Sequence, residues 1–230
     1  MGDREGMLDA FERGPTGRRV NYKEFAPEIA LMNEKLPTLY VARHGDTAWT
    51  VSGQHTGFTD IPLTTEGELH AGMLGKRLRA LNFIKVFTSP LQRAVRTCEL
   101  AGFGAVAEVD PDLMEWNYGE YESLRDCEIL AKHPDWQLFR DGCPGGESPA
   151  EVGERADRVI QRVRAEDGDV LLFSSGHFIR VLAARWLSLA PGYLGSHLSV
   201  KPSSLSALSY EHKLTRPVIR LWNDEHHVAA

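Results

Sequence analysis

Arginine and histidine side chains stand where three apolar runs of the 230-residue sequence stop. TLYVA at 38–42 runs into Arg43-His44-Gly45, and IKVFTS at 84–89 is followed by Pro90, with Arg93 one turn later. DVLLFS at 169–174 runs into Ser175-Gly176-His177. A guanidinium is planar, permanently charged and forked, so it meets phosphate oxygens two at a time. A neutral imidazole is a nucleophile near pH 7, and its phosphoramidate is labile enough to hydrolyse. Two arginines and two histidines gathered at one edge could hold a phosphoryl group and attack its phosphorus.

Such convergence requires an open sheet, because α/β sheets bind ligands beyond the carboxyl ends of their strands. The three runs read as buried strands. Thr64 or Thr65 caps a helix through about Asn82, with Leu69, Met73, Leu74, Leu78 and Leu81 recurring at three and four. Ser89-Pro90 predicts a second helix with proline in its first turn, ending near Ala101. AEVD at 107–110 is a candidate third strand, followed by helical pieces at 123–133 and 134–140. Ser148 and Glu151 form a capping box for a helix to Ala165, another helix runs from about His177 to Leu189, and β-rich runs at 203–210 and 217–222 finish the sheet. Strand, crossover helix, strand is the order of a parallel sheet, so the expected fold is α/β, a three-layer α/β/α arrangement around a mainly parallel sheet.

With 42% hydrophobic and 25% charged residues, the chain can bury one core, expected at 36–230 behind an N-terminal extension at 1–35. In that extension only Phe25, Ile29 and Met32 have helical spacing. A net charge of −6 excludes a basic field for nucleic acid or anionic membranes, so an anion must be held by a local cluster. No run is long enough to span a membrane, and the charged start MGDREGMLDAFERG lacks the apolar core of a signal peptide. Cys98, Cys127 and Cys143 form neither a disulfide framework nor a zinc knuckle, which predicts a reducing, cytoplasmic setting. No metal or other cofactor is expected, because two arginines already neutralise a phosphate. His226-His227 reads as a solvated tail, and Arg180 and Arg185 as structural ion pairs or stems lying on an apolar helix.

LYVARHGDTAW (39–49) resembles the R-H-G-x-T signature of the histidine phosphatase superfamily, which includes phosphoglycerate mutases and many sugar phosphatases. QHTGFTDIPLTTEG (54–67), FTSPLQRAVRT (87–97), DLMEWNYGEYESL (112–124), GGES (145–148) and LLFSSGHFIRVLAARWL (171–187) resemble later blocks of the same family, in order. The likeness implies that His44 is the phosphorylated nucleophile and that Arg43 and Arg93 hold the phosphoryl oxygens. Glu115 would protonate the leaving oxygen and later help activate water, a task suited to partly apolar surroundings, for which Trp116 and Tyr118 would be walls. Amides near Gly57, Gly176 and His177 and the hydroxyls of Thr50 and Thr56 would be further phosphate contacts.

One position departs from the family pattern. Where relatives carry a phosphate-binding histidine at the end of the last active-site strand, this chain has Ser175, with His177 two residues on. Either His177 turns back over the phosphate, or the pocket lacks one donor, which typically costs roughly 10²- to 10³-fold in rate. Ser175 could also be an introduced, ligand-trapping substitution. Thr50 shortens a position that is Asn in the mutases, and no extra basic run lies between Leu124 and Gly146, which favours hydrolysis. EWNYGEYE with FRDGCPGGES looks closest to the branch of sedoheptulose-bisphosphatase-like sugar phosphatases. The expected activity is that of a histidine acid-type phosphatase acting on a small phosphorylated metabolite, a sugar phosphate or phosphoglycerate-like acid, with homo-oligomerisation left open. The rivals are a phosphoglycerate mutase and a non-catalytic phosphometabolite-binding protein that lost turnover through Ser175.

Overall fold

Leu39–Arg43 (β1) and Val170–Ser174 (β4) lie side by side and parallel at the centre of a six-stranded sheet. The computed structural model describes residues 36–228, so the expected extension at 1–35 lies outside the described residues. Lys85–Thr88 (β2) pairs parallel with β4, and the two-residue Glu108–Val109 (β3) pairs parallel with β2. Leu205–Tyr210 (β5) runs antiparallel to β1, and Pro217–Asp224 (β6) antiparallel to β5, giving the order β3-β2-β4-β1-β5-β6.

Every residue of β4 is buried because side chains alternate between two covered faces. Leu39, Val41, Val170 and Leu172 face one core, built with Pro149–Arg164 (α6) and Gly176–Trp186 (α7). Ala42, Leu171 and Phe173 face the other, with Thr65–Leu78 (α2) and Gln92–Leu100 (α3). The result is the expected α/β/α architecture around a mainly parallel sheet. Among the described residues, no helix is long and apolar enough to cross a membrane.

Local chemistry sets the ends of these elements. Thr64 Oγ1 accepts from the Gly67 amide at 3.0 Å to start α2, and Ser148 and Glu151 form the predicted capping box of α6. Gly45 is obligatory because a Cβ there would stand 2.5 Å from the Gly67 carbonyl oxygen, where the end of β1 crosses the first turn of α2. The short helix Ala48–Ser52 (α1) begins two residues after Asp46 with a Thr47–Thr50 capping box.

Four expected boundaries shift. α3 starts at Gln92 with Pro90 outside it, because Asp60 Oδ1 takes the Gln92 amide at 2.8 Å and the Ser89 hydroxyl takes the Leu91 amide. α2 closes at Leu78, where the Leu81 amide tightens onto the Leu78 carbonyl. α7 ends at Trp186 because Ser188 is left-handed (φ +62°) and the amides of Ser188 and Leu189 fold back onto the carbonyls of Arg185 and Ala184. The pieces near 123–140 shrink to Asp126–Leu130 (α4) and Leu138–Asp141 (α5), since Pro134 disfavours helix at the residue before it. Pro191–Leu194 (α8) is a single further turn.

An ion pair clamps the loop between β3 and α4. Arg155, on α6, donates to the carbonyls of Asp112 at 2.8 Å, Met114 at 2.9 Å and Glu115 at 3.2 Å, and grips both carboxylate oxygens of Glu147. Glu147 in turn accepts from the Asn117 amide at 2.8 Å. Both side chains are mostly buried, so removing one partner strands the other. Arg155→Met is expected to cost about 3 kcal/mol in urea unfolding, and Arg155→Met with Glu147→Met less than the sum of the two singles. Additive losses would show that the pair does not act as a unit.

Candidate active site

His44 follows β1 directly and is buried. Its Nδ1 lies 2.7 Å from the Gly45 carbonyl oxygen. A carbonyl only accepts, so Nδ1 carries the proton and the Nε2 lone pair is left free. Burial first, then the charges of Arg93 and Arg43, hold the imidazole pKa well below its ordinary value, so the ring is neutral and nucleophilic.

Arg43 and Arg93 reach the same edge from β1 and α3. Arg43 Nη1 donates to the Val200 carbonyl at 2.5 Å. Arg93 Nη1 donates to Thr59 O at 3.0 Å, and its Nη2 to Thr56 O at 3.1 Å and Gly57 O at 2.8 Å. Among the described residues, both guanidiniums donate to backbone carbonyls, and the Nε of each is buried without a partner. Burial lowers the pKa of both arginines, with the Glu115 carboxylate the foremost opposing charge for each.

Glu115 is buried in the clamped loop and caps α7 from outside. Its Oε1 accepts from the amides of Trp116 at 2.9 Å and Phe178 at 2.8 Å, and its Oε2 from the His177 amide at 3.0 Å. The positive end of the helix therefore meets a carboxylate.

His177 does not lie free beside His44. Tyr118 Oη and His177 Nδ1 are 2.5 Å apart, and the imidazole packs among the rings of His55, Phe139 and Tyr118. Burial, then Arg180, His55 and Arg43, push the His177 pKa well down, while burial pushes Tyr118 well up. Both are neutral, so Tyr118 Oη and His177 Nδ1 share one proton, its donor set by the imidazole tautomer. The His177 amide is spent on Glu115.

The remaining expected contacts are distributed elsewhere. Thr50 Oγ1 is engaged in the α1 capping box and Thr56 Oγ1 on the Gln54 carbonyl. The Gly57 amide donates to Glu122 Oε1 at 2.9 Å. Trp116 is a fully buried core residue whose indole N–H donates to Glu147 O, so it packs the loop from beneath. Gly176 sits against Arg43, where a Cβ would meet Cζ at 3.1 Å. Ser175 is fully buried at the N-terminus of α7, and its Oγ has no partner.

Several contributors escape sequence reading. The loop before β5 supplies Val200 O to Arg43, Ser204 O to the Arg43 amide at 3.1 Å and the Ser203 amide to His44 O at 3.0 Å. His227 secures that loop, with its Nε2 2.8 Å from Ser203 O, so it is a half-buried anchor and not a solvated tail. Arg185 forms the expected ion pair with Asp157, whereas Arg180 donates to Gly195 O and lies over the Phe139 ring. Backbone acceptors carry no side-chain signature, which is why these positions are silent in the sequence. Among the described residues, no cluster of His, Cys, Asp and Glu could hold a metal ion.

Residues 39–225 match the histidine phosphatase superfamily (branch 1). The chain is 39% identical over 178 residues to an acid phosphatase of Mycobacterium tuberculosis, an alignment covering 76% of this chain and 87% of that protein. It is 35% identical over 185 residues to the sedoheptulose 1,7-bisphosphatase of Saccharomyces cerevisiae, covering 66% of this chain and 68% of that protein. The solved structure of an open reading frame product from Mycobacterium tuberculosis superposes with a TM-score of 0.79 at 36% identity, covering 84% of this chain and all (100%) of the other. These likenesses support hydrolase activity on phosphate esters, and with nearly the whole described region matched, the chain belongs to the histidine phosphatase superfamily, branch 1.

Proposed function

We propose that the protein hydrolyses phosphomonoesters of small phosphorylated metabolites, sugar phosphates or phosphoglycerate-like acids, through a phosphohistidine at His44. The observation that carries this reading is a neutral, buried imidazole with its Nδ1 tied to Gly45 O, set between two arginines whose Nε groups have no partner. Buried cations bonded only to neutral carbonyls make a site complementary to an anion.

In the first step His44 Nε2 forms a bond to phosphorus as the bond to the ester oxygen breaks, and Glu115, taking up the proton of the incoming phosphate monoanion, delivers it to the departing oxygen. In the second, water attacks the phosphohistidine, its proton passes to Glu115, and the P–N bond breaks to release inorganic phosphate. Arg43 and Arg93 spread the charge that develops on the phosphoryl oxygens in both steps. The acid phosphatase and sugar bisphosphatase relatives support this substrate class.

His44→Ala is expected to lower aryl phosphate and sugar phosphate turnover by on the order of 10³-fold or more, and to abolish the acid-labile label left on the native protein by radioactive substrate. Full activity in His44→Ala would overturn the reading. Phosphate retained on carbon, with stimulation by a bisphosphate, would mark a mutase instead.

The lowered pKa values of His44 and His177 fix a pH dependence. Unfolded histidines take up protons near the ordinary value of 6.5, while the folded ones resist until lower pH. Their contribution to stability is therefore full above 6.5 and lost as pH falls below it. Thermal midpoints should fall from about pH 7.5 to about pH 5, less steeply in His44→Gln, while the acid limb of kcat/KM lies below the ordinary histidine range. A midpoint flat across that interval would contradict the buried neutral imidazoles.

A further inference from the structure

Ser175 occupies the N-cap position of α7 in extended conformation (φ −120°, ψ 166°). A serine there ordinarily accepts from the second or third amide of the helix. Those amides belong to His177 and Phe178, and Glu115 has taken both. The hydroxyl is thus relieved of capping, fully buried and without any partner, a condition that native proteins rarely leave uncompensated.

Strand register shows what it faces. Arg43 pairs with Ser174 across β1 and β4, and the His44 amide donates to Ser174 O at 3.0 Å. The next residue along each strand, His44 and Ser175, are then neighbours across a spacing of about 4.8 Å, and alternation turns Ser175 away from Ser174. Ser174 spends its own hydroxyl on Leu113 O at 2.7 Å, on the other side. Gly176, the residue after Ser175, lies against the Arg43 guanidinium, whose Nε is unpartnered like that of Arg93. Among the described residues the buried polar side-chain atoms without a partner are Ser175 Oγ, the Nε of Arg43 and of Arg93, and Ser203 Oγ and Ser204 Oγ of the segment that bonds Arg43 and His44.

We infer that the Ser175 hydroxyl donates a hydrogen bond to a phosphoryl oxygen held over His44, completing the donor set with a neutral group that does not titrate. This rests on the phosphohydrolase reading and makes Ser175 a catalytic residue in its own right. His177, held by Tyr118, belongs to the wall of the cleft.

The test measures orthovanadate binding by calorimetry and aryl phosphate kinetics from about pH 5 to about pH 8 for the native protein, Ser175→Ala and His44→Ala. Ser175→Ala should weaken vanadate binding and lower kcat/KM by roughly 10- to 100-fold, the range of one hydrogen bond to a charged group. Its acid limb should stay parallel to that of the native protein, and its ligand-free thermal midpoint should not fall, because the variant breaks no bond of the empty protein. Unchanged vanadate affinity in Ser175→Ala overturns the inference, as does a native protein that binds no vanadate. A loss of affinity accompanied by a lowered midpoint also overturns it, since that marks a structural residue. A neutral Ser175→Ala beside an inactive His44→Ala removes only this inference, whereas an active His44→Ala removes the phosphohistidine reading beneath it.

Discussion

Burying the guanidiniums of Arg43 and Arg93 around a neutral imidazole is the constraint on which the rest of the structure depends. Desolvating a permanent cation is expensive, and a carboxylate bound face to face would relieve that cost by occupying the place where an anion must sit. The chain uses carbonyl oxygens instead. Val200, Thr56, Gly57 and Thr59 each turn a carbonyl onto one of the two arginines, satisfying the far side of each fork. The near side, at Nε, is left unsatisfied. Two loops distant in sequence are consequently conscripted as acceptors, and much of the surrounding structure holds those loops in place.

The acidic loop is held by the same economy of backbone groups. Glu115 reaches the first turn of α7 and bonds the amides that a capping side chain would use. One carboxylate thereby fixes the helix carrying His177 and opposes the charge of both arginines. Arg155 and Glu147 hold the loop from behind through carbonyls on both sides of Glu115. This charge pair is well shielded and serves geometry, because beyond the bonds between its two side chains its hydrogen bonds run to the backbone of the loop.

On the opposite flank, β6 and the residues after it secure the segment before β5. Trp222 donates to Ser199 O, Asn223 accepts from the Lys201 amide, and His227 reaches Ser203 O, while Arg77 of α2 pairs with Asp224. The segment so held touches Arg43 and His44 directly. Buried polar atoms left unpartnered, Ser203 Oγ and Ser204 Oγ among them, gather at this edge of the sheet. Unsatisfied polarity concentrated at one edge is uncommon in a folded interior and is found chiefly at functional sites.

The apolar runs at 38–42, 84–89 and 169–174 and their alternation were legible from residues alone, because a strand covered on both faces must be apolar throughout and must stop where polar groups begin. That stopping point located Arg43, His44 and Ser175 at one edge, and the capping box at Ser148 fixed the start of α6. Helix ends near Pro90 and Leu189 were less legible, since Asp60 and the left-handed Ser188 act through bonds that no local pattern encodes. Resemblance singled out Glu115, but only the folded chain shows its carboxylate taking the place of the Ser175 cap. The spacing of Ser175 and His177 left open whether His177 turns back over a phosphate or the pocket lacks one donor. Only the tertiary structure ties the His177 Nδ1 to Tyr118 and gives the helix amides to Glu115, leaving the buried Ser175 hydroxyl without a partner. A sequence lists donors, whereas the fold determines which of them already have acceptors.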